Sequence, residues 1–223
     1  AVVSQLMGFD FTDFRRGAQS LIQNFDFNIH LQGAYHTAFL NRNHGVNQSV
    51  IMVYADGLEL FAEWFCQLWG ESLGKKRDNQ FYGITPVRAL GAVDQHSQLQ
   101  LYLDGPRDKL ITFITLDQHE ETPIIQPTHI DHPCFQMIEG HTMAQLFRAE
   151  EAGTYETLKK NNCHLRKLSL SHLGAFEMGQ LMMFYMIETI ATAYLLGVNP
   201  FDQPAVEDSK KQAMIFLKNG FKI

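Results

Sequence analysis

The chain is short of cysteine, proline and positive charge, and each shortage narrows what it can be. Its three cysteines among 223 residues, Cys66, Cys134 and Cys163, are odd in number and share no metal-like spacing. That pattern argues against a disulfide framework or a thiolate-held metal, and it fits buried or inert thiols in a reducing, cytoplasmic compartment. Lysine and arginine total 18 against 24 aspartates and glutamates, a net charge of −6. Such a balance argues against a nucleic-acid surface or a polybasic membrane surface, so any anionic ligand must be held by a local cluster. Only seven prolines are present, and no Gly-, Ser- or Pro-rich stretch divides the chain. Internal repeats and low-complexity tracts are also lacking. Residues 1–9 are apolar but carry no basic leader, and they read as the inside of a helix rather than a signal peptide. The longest apolar stretch, 176–196, is interrupted by Glu177, Gln180 and Glu188. Charges at mid-bilayer cost about 2.5–3.5 kcal/mol each, so this segment reads as a buried helix and not a membrane span.

What is present is enough apolar material for a substantial core: 45% of residues are hydrophobic and 19% charged. Apolar residues at helical spacing predict helices over 10–24 and 29–41. Residues 49–54 form a β-branched run that predicts a buried strand. Asp56 is placed to cap the next helix, whose stripe of Leu58, Phe61, Phe65 and Leu68 ends near Gly70. A short strand is expected at 87–90, and 95–103 fits either a helix or a strand. A further strand covers 109–116, after the turn 104–108. The polar, Pro-punctuated segment 117–139 reads as an excursion. A helix over 142–160 with Glu150 and Glu151 facing solvent, a strand over 163–170 and a long buried helix over 174–196 complete the pattern. This alternation predicts an α/β fold with a parallel or mixed sheet.

Three segments carry candidate chemistry. In the first, 197–211, Pro204 suits a first helical turn, which would make Gln203 the cap and place Lys210 two turns further along the same face. A polar tip and a cation converging on a helix N-terminus suit an anionic or oxygen-rich ligand, although for an isolated lysine a solvated side chain is the favoured reading. In the second, Gln67-Leu-Trp-Gly-Glu-Ser-Leu-Gly-Lys75, glycines flank Glu71 at the end of a helix. The glycines are too close together, and Lys76 follows the lysine, so this is not a nucleotide phosphate loop. A surface turn with a Glu–Lys pair is the plain alternative. The third is Asp94-Gln-His-Ser-Gln-Leu-Gln100, around His96. His129, His132 and Cys134 match no common zinc spacing, and Ser169 and Ser171 lie outside any nucleophile-elbow pattern. The cluster 182–186, rich in methionine and aromatic residues, reads as core packing.

Asn199, Phe201, Asp202, Gln203, Val206, Glu207 and Lys210 together resemble the C-terminal signature of the phosphoglucose isomerase family, with Ala205 in place of its usual glycine. Gly-Glu-Ser-x-Gly-Lys and Gly-x-x-x-Gln-His-x-x-x-Gln resemble two further segments of that family, in the same order, and the similarity runs through nearly the whole chain. The resemblance is to the C-terminal portion of bacterial-type members. It implies a three-layer α/β/α sandwich of the sugar-isomerase (SIS) type, with residues 1–223 forming the C-terminal SIS domain.

The resemblance also implies an aldose–ketose isomerase of glycolysis and gluconeogenesis, interconverting glucose 6-phosphate and fructose 6-phosphate through an enediol. Glu71 would be the base moving a proton between C1 and C2, its pKa raised toward neutrality by partial burial. His96 and Lys210 would handle ring opening, and Gln67 and Gln203 would hold substrate oxygens. Neither metal nor organic cofactor is implied. A homodimer is, with His96 contributed across the interface. The family's phosphate loop and its Gly-Gly-Arg-Phe-Ser signature have no counterpart in the sequence, so the chain is expected to be the C-terminal half of such an enzyme and inactive alone. The alternatives are a non-catalytic sugar-phosphate-binding SIS module and a fragment that only dimerises.

Overall fold

The computed structural model describes residues 6–119, 122–127 and 132–221. Three helices come first: α1 (Phe11–Gln23), α2 (Phe27–His30) and α3 (Gln32–His44). Next are β1 (Gln48–Val53), a 3-10 turn Asp56–Leu58, α4 (Glu59–Leu73), and a hairpin of β2 (Lys75–Arg77) and β3 (Gln80–Tyr82). β4 (Thr85–Leu90), a 3-10 turn Val93–Gln95, α5 (Leu99–Asp104) and β5 (Lys109–Leu116) follow. The chain continues through α6 (Pro133–Ile138), α7 (Met143–Lys160), β6 (His164–Leu170), α8 (Ala175–Leu196) and α9 (Val206–Lys218).

The main sheet has the order β4-β1-β5-β6 and is parallel throughout. Val50 registers with Val87 on one side and Ile111 on the other. Successive β1 residues serve opposite faces, as the pleat requires. Ile51 and Val53 join Phe61, Phe65, Trp69, Leu181 and Tyr185 in the core beneath α4 and α8. Val50, Met52 and Tyr54 join Tyr102 and Leu158 in the core beneath α5 and α7. The α1 and α3 helices pack outside α8. Helices thus cover both faces of a parallel sheet, the three-layer arrangement expected. Among the described residues no helix is long and apolar enough to cross a membrane.

Direction matters most for function. In a parallel sheet each crossover helix runs back against the strands. The start of α4 therefore lies by the carboxyl half of β4, where the Arg88 guanidinium is 3.2 Å from carboxylate oxygens of both Glu59 and Glu63. Its end lies at the amino edge, with Gly70 beside Pro86. α8 runs the same way, from the carboxyl edge after β6 to the amino edge at Gly197.

Of the two carboxylates that interrupt the apolar 176–196 segment, Glu177 accepts from Ser171 Oγ at 3.1 Å and Glu188 is ion-paired. Glu188, fully buried on α8, accepts from Arg166 Nη1 on β6 at 2.7 and 2.8 Å, and Arg166 Nε donates to Thr112 Oγ1 at 3.2 Å. Burial alone would lower the guanidinium pKa, but Glu188 outweighs it and holds the group charged, above the ordinary arginine value. Gly33 on α3 faces this pair, and a Cβ there would collide with both partners.

Several expectations need correction. Asp56 does not cap α4; it opens the 3-10 turn, and α4 starts at Glu59 with no side-chain cap. α4 continues past Gly70 to Leu73, because Trp69 and Leu73 remain in the core and repay the glycine's cost. Glu151 does not face solvent: it is buried and accepts from Lys167 Nζ at 2.6 Å. The α7 helix otherwise begins as its capping box dictates, with Thr142 and Gln145 bonding reciprocally. Of residues 95–103, the part from Leu99 takes the helical alternative, after a 3-10 turn that ends at Gln95 and a non-helical turn over 96–98. Tyr185, Met182 and Phe184 pack in the core, but Met186 is exposed. Burial pushes the thiols of Cys66 and Cys163 up, whereas Cys134 is exposed. His132 accepts from the Cys134 N–H at the start of α6, while His129 and the apolar start of the chain, 1–5, lie outside the described residues.

Replacing Glu188 with alanine leaves a buried guanidinium unpaired, which costs about 3–5 kcal/mol. The double replacement Arg166→Met with Glu188→Leu should cost clearly less. Urea unfolding of both variants checks this; equal losses would show that the pair does not act as a unit.

Candidate functional site

At the amino edge, the last turn of α4 meets the loop that follows α8. Glu71, in that turn, is exposed and its two carboxylate oxygens take different partners. Gln67 Nε2, one turn earlier, donates to Oε1 at 3.3 Å, and Gln203 Nε2 donates to Oε2 at 2.7 Å. Three of the five expected site residues thus converge on one carboxylate. Gln67 and Glu71 share a helix face by their four-residue spacing. Gln203 arrives from 132 positions away in sequence.

The loop begins at Gly197, the left-handed C-cap of α8, with φ of 75°. Its main-chain carbonyl accepts from Arg77 Nη1 on the hairpin, and a side chain at 197 would strike that guanidinium. Arg77 is itself held, stacked on the Tyr82 ring at 4.6 Å and donating to the Tyr82 hydroxyl at 2.8 Å. Further along, Asn199 Oδ1 accepts from the Phe201 N–H at 3.1 Å, and Asn199 Nδ2 donates to Asp202 Oδ2, also at 3.1 Å. Lys75 Nζ lies 3.1 Å from Asp202 Oδ1 and also donates to the Asp202 main-chain carbonyl.

The expected helix cap at Gln203 is not formed. α9 begins at Val206, the Ala205 position before it makes no side-chain cap, and Gln203 is spent on Glu71. The turn at Asn199 and the pull of Lys75 on Asp202 keep 202–203 extended from the helix. Lys210 therefore lies one turn into α9, exposed, with its ammonium 2.7 Å from Glu207. Among the described residues no hydrogen bond or ion pair joins Lys210 to Glu71, Gln67, Gln203 or His96. The partial burial expected around Glu71 is also absent, because nothing in the described chain covers it.

His96 stands elsewhere. It follows the 3-10 turn after β4, at the carboxyl edge of the sheet, and is exposed. Glu71 is twelve residues along α4 from Glu59, which pairs with Arg88 near that same edge. At about 1.5 Å per residue the two candidate groups are on the order of 20 Å apart. One copy of this chain does not bring them to one substrate.

The turn bearing His96 is pinned by Asp94, whose Oδ2 accepts from the Leu90 N–H at 2.7 Å and whose Oδ1 accepts from Ser97 Oγ at 2.6 Å. Gln95 Nε2 donates to the Tyr54 hydroxyl at 2.8 Å. Burial alone would raise the Asp94 pKa, but these donors, with Gln98 and Arg88, lower it below the usual carboxylate value.

Lys75 and Arg77 were not singled out from sequence as residues that seat the loop. The signal existed for Lys75, which closes the Gly-Glu-Ser-x-Gly-Lys segment, but its partner Asp202 is 127 positions away. For Arg77 there was none.

Comparison with known proteins gives consistent results. Residues 2–220 match the family described as phosphoglucose isomerase. A probable glucose-6-phosphate isomerase of Methanococcus maripaludis is 42% identical over 171 residues, covering 77% of this chain and 37% of the relative. The glucose-6-phosphate isomerase of Carboxydothermus hydrogenoformans is 36% identical over 196 residues, covering 86% and 42% respectively. The chain thus spans less than half the length of these relatives. Among solved structures, a hypothetical protein of Thermus thermophilus superimposes with a TM-score of 0.86 at 32% identity, over 94% of this chain and 51% of that one. A glucose-6-phosphate isomerase of Chlamydia trachomatis superimposes with a TM-score of 0.73 at 19% identity, over 95% and 43%, which speaks to the fold alone.

A carboxylate whose folded-state pKa is depressed stabilises the fold above its unfolded value of about 3.9 and loses that contribution as pH falls through the folded pKa. Asp94→Asn should therefore flatten the loss of stability below about pH 4 relative to the parent chain. Urea midpoints at pH 7 and pH 3 measure this; an unchanged difference between the two pH values would contradict the role given to Asp94.

Proposed function

Because the chain belongs to the phosphoglucose isomerase family, we propose that it forms the C-terminal SIS domain of an aldose–ketose isomerase and supplies part of that enzyme's active site. The substrate pair is glucose 6-phosphate and fructose 6-phosphate, and the reaction belongs to glycolysis and gluconeogenesis. The observation that carries this reading is the Glu71 carboxylate held between Gln67 and Gln203. A base that moves a proton between neighbouring carbons must reach both without turning away, and two fixed amides restrict the carboxylate's rotation.

In this scheme Glu71 removes the proton on C2, leaving an enediolate on O1; the C2 hydroxyl proton passes to O1, and protonated Glu71 returns its proton to C1 as C2 becomes the carbonyl; the reverse direction retraces these steps. The amides that hold the base also offer donors and acceptors to substrate hydroxyls. Lys210 and His96 serve ring opening by moving a proton to or from the ring oxygen. Glu71 is exposed in this chain, so water must be excluded by something that covers it when substrate is bound.

The wide separation of Glu71 and His96 supports a homodimer in which each site takes its base from one subunit and its histidine from the other. A two-fold interface that brings the carboxyl edge of one copy to the amino edge of the other satisfies both sites at once. No organic cofactor or metal enters the scheme. Placement in the cytoplasm agrees with three unpaired thiols.

The contacts of Glu71 also fit a second reading, a sugar-phosphate-binding module in which this carboxylate only anchors the loop. Glu71→Gln in the full-length protein separates the two. A base that is lost lowers turnover by about 100-fold or more while sugar-phosphate binding persists; an anchor leaves any response to ligand nearly unchanged. Mixing Glu71→Gln with His96→Ala subunits should then restore about a quarter of parent activity, since half the dimers are mixed and each has one intact site. No recovery on mixing would contradict the shared site.

A further inference from the structure

Val198 is buried in the core, and from Phe201 to the end of α9 every residue is exposed. Among the described residues, two side-chain attachments join this segment to the helix and hairpin at this edge: Gln203 to Glu71, and Asp202 to Lys75. The first is the functional contact itself. The second is what remains to hold it in place.

The Lys75 side chain is 7% exposed, while that of Asp202 is 53% exposed. A buried ammonium is tolerated only when paired and hydrogen-bonded. Here both partners, a carboxylate oxygen and a main-chain carbonyl, belong to one residue of the loop. Undocking the loop would therefore take both partners from the ammonium at once, so the docked state of 197–203 and the pairing of Lys75 are coupled. The carboxylate side of the bond is fixed in turn by Asn199, which donates to the other oxygen of Asp202. On the Lys75 side, the residue lies two positions beyond the last residue of the helix that carries Gln67 and Glu71. The bond thus ties the end of α4 to the residue next to Gln203.

We infer that Lys75 is a positioning residue: its bonds to Asp202 hold Gln203 against the Glu71 carboxylate and seat the start of α9, which carries Lys210. This inference rests on the reading of Glu71 as the base. It adds a residue that touches neither substrate nor the reacting atoms and acts through Asp202. Arg77 assists by holding the Gly197 carbonyl, which fixes where the loop leaves α8.

The test uses the full-length enzyme and steady-state kinetics with fructose 6-phosphate. Lys75→Met keeps the apolar stem and removes the charge; Asp202→Asn removes the partner's charge at an exposed carboxylate. Each should lower kcat about 10–100-fold, the size of effect that a misplacement of about 1 Å produces. Lys75→Arg, which keeps a cation with several donors, should recover most of that loss. The double variant Lys75→Met with Asp202→Asn should be no slower than the slower single variant, because both remove one interaction. A loss of mere fold stability would lower the melting temperature and the active fraction without this non-additivity or the rescue by arginine. If Lys75→Met does not fold, Asp202→Asn decides alone, and parent-level kcat in that variant overturns the proposal. Losses that multiply in the double variant overturn it too. Glu71→Gln in the same series keeps the two claims apart. If it retains turnover, the reading of the base fails; if it abolishes turnover while Lys75→Met and Asp202→Asn do not change it, only the latch fails.

Discussion

The constraint on which the rest of this structure depends is the direction of the crossover helices. A parallel sheet needs each connection to return to the edge where the strands begin, and the covering helices therefore run against the strands. Residues at the ends of α4 and α8 collect at the amino edge, whereas residues that follow strands collect at the carboxyl edge. Gln67, Glu71 and Gln203 belong to the first group and His96 to the second. Ligands in open α/β sheets are ordinarily expected at the carboxyl ends of the strands. Here the organised carboxylate lies at the other end, and the length of the sheet separates it from the histidine. In the proposed dimer a site that uses both is assembled from two copies.

Charge placement follows from the same architecture. The apolar helix α8 carries Glu188 into the core because Arg166 on β6 meets it there, and Gly33 leaves the space for both. Lys167 and Glu151 do the same on the opposite face at a partly exposed position. These pairs fix how α8 and α7 sit on the sheet. α8 in turn delivers Gly197 to the amino edge, where Arg77 and Lys75 receive the loop.

Much of this was legible in the sequence. The strand at 109–116 and the helix over 174–196 read directly because their apolar patterns are long. The candidate residues were legible because each lies within a contiguous motif. What joins the motifs was not: Lys75 meets Asp202, and Gln203 meets Glu71, across more than a hundred residues, and no local pattern records such pairings. Glu151 looked solvated beside Glu150 because its partner is on a later strand. Gln203 looked like a cap because Pro204 favours a helix start, yet a tertiary bond to Glu71 outweighed that local preference. Gly70 looked like a helix end because glycine so often closes one, and the burial of Leu73 overrode it.

The central claim is that the base and the histidine reach one substrate only from two subunits. The most direct measurement is a crystal structure of the full-length protein with a sugar phosphate bound. The account predicts that each bound molecule is contacted by Glu71 of one subunit and by His96 of the partner subunit. A single subunit placing both its own Glu71 and its own His96 against the same ligand would contradict it.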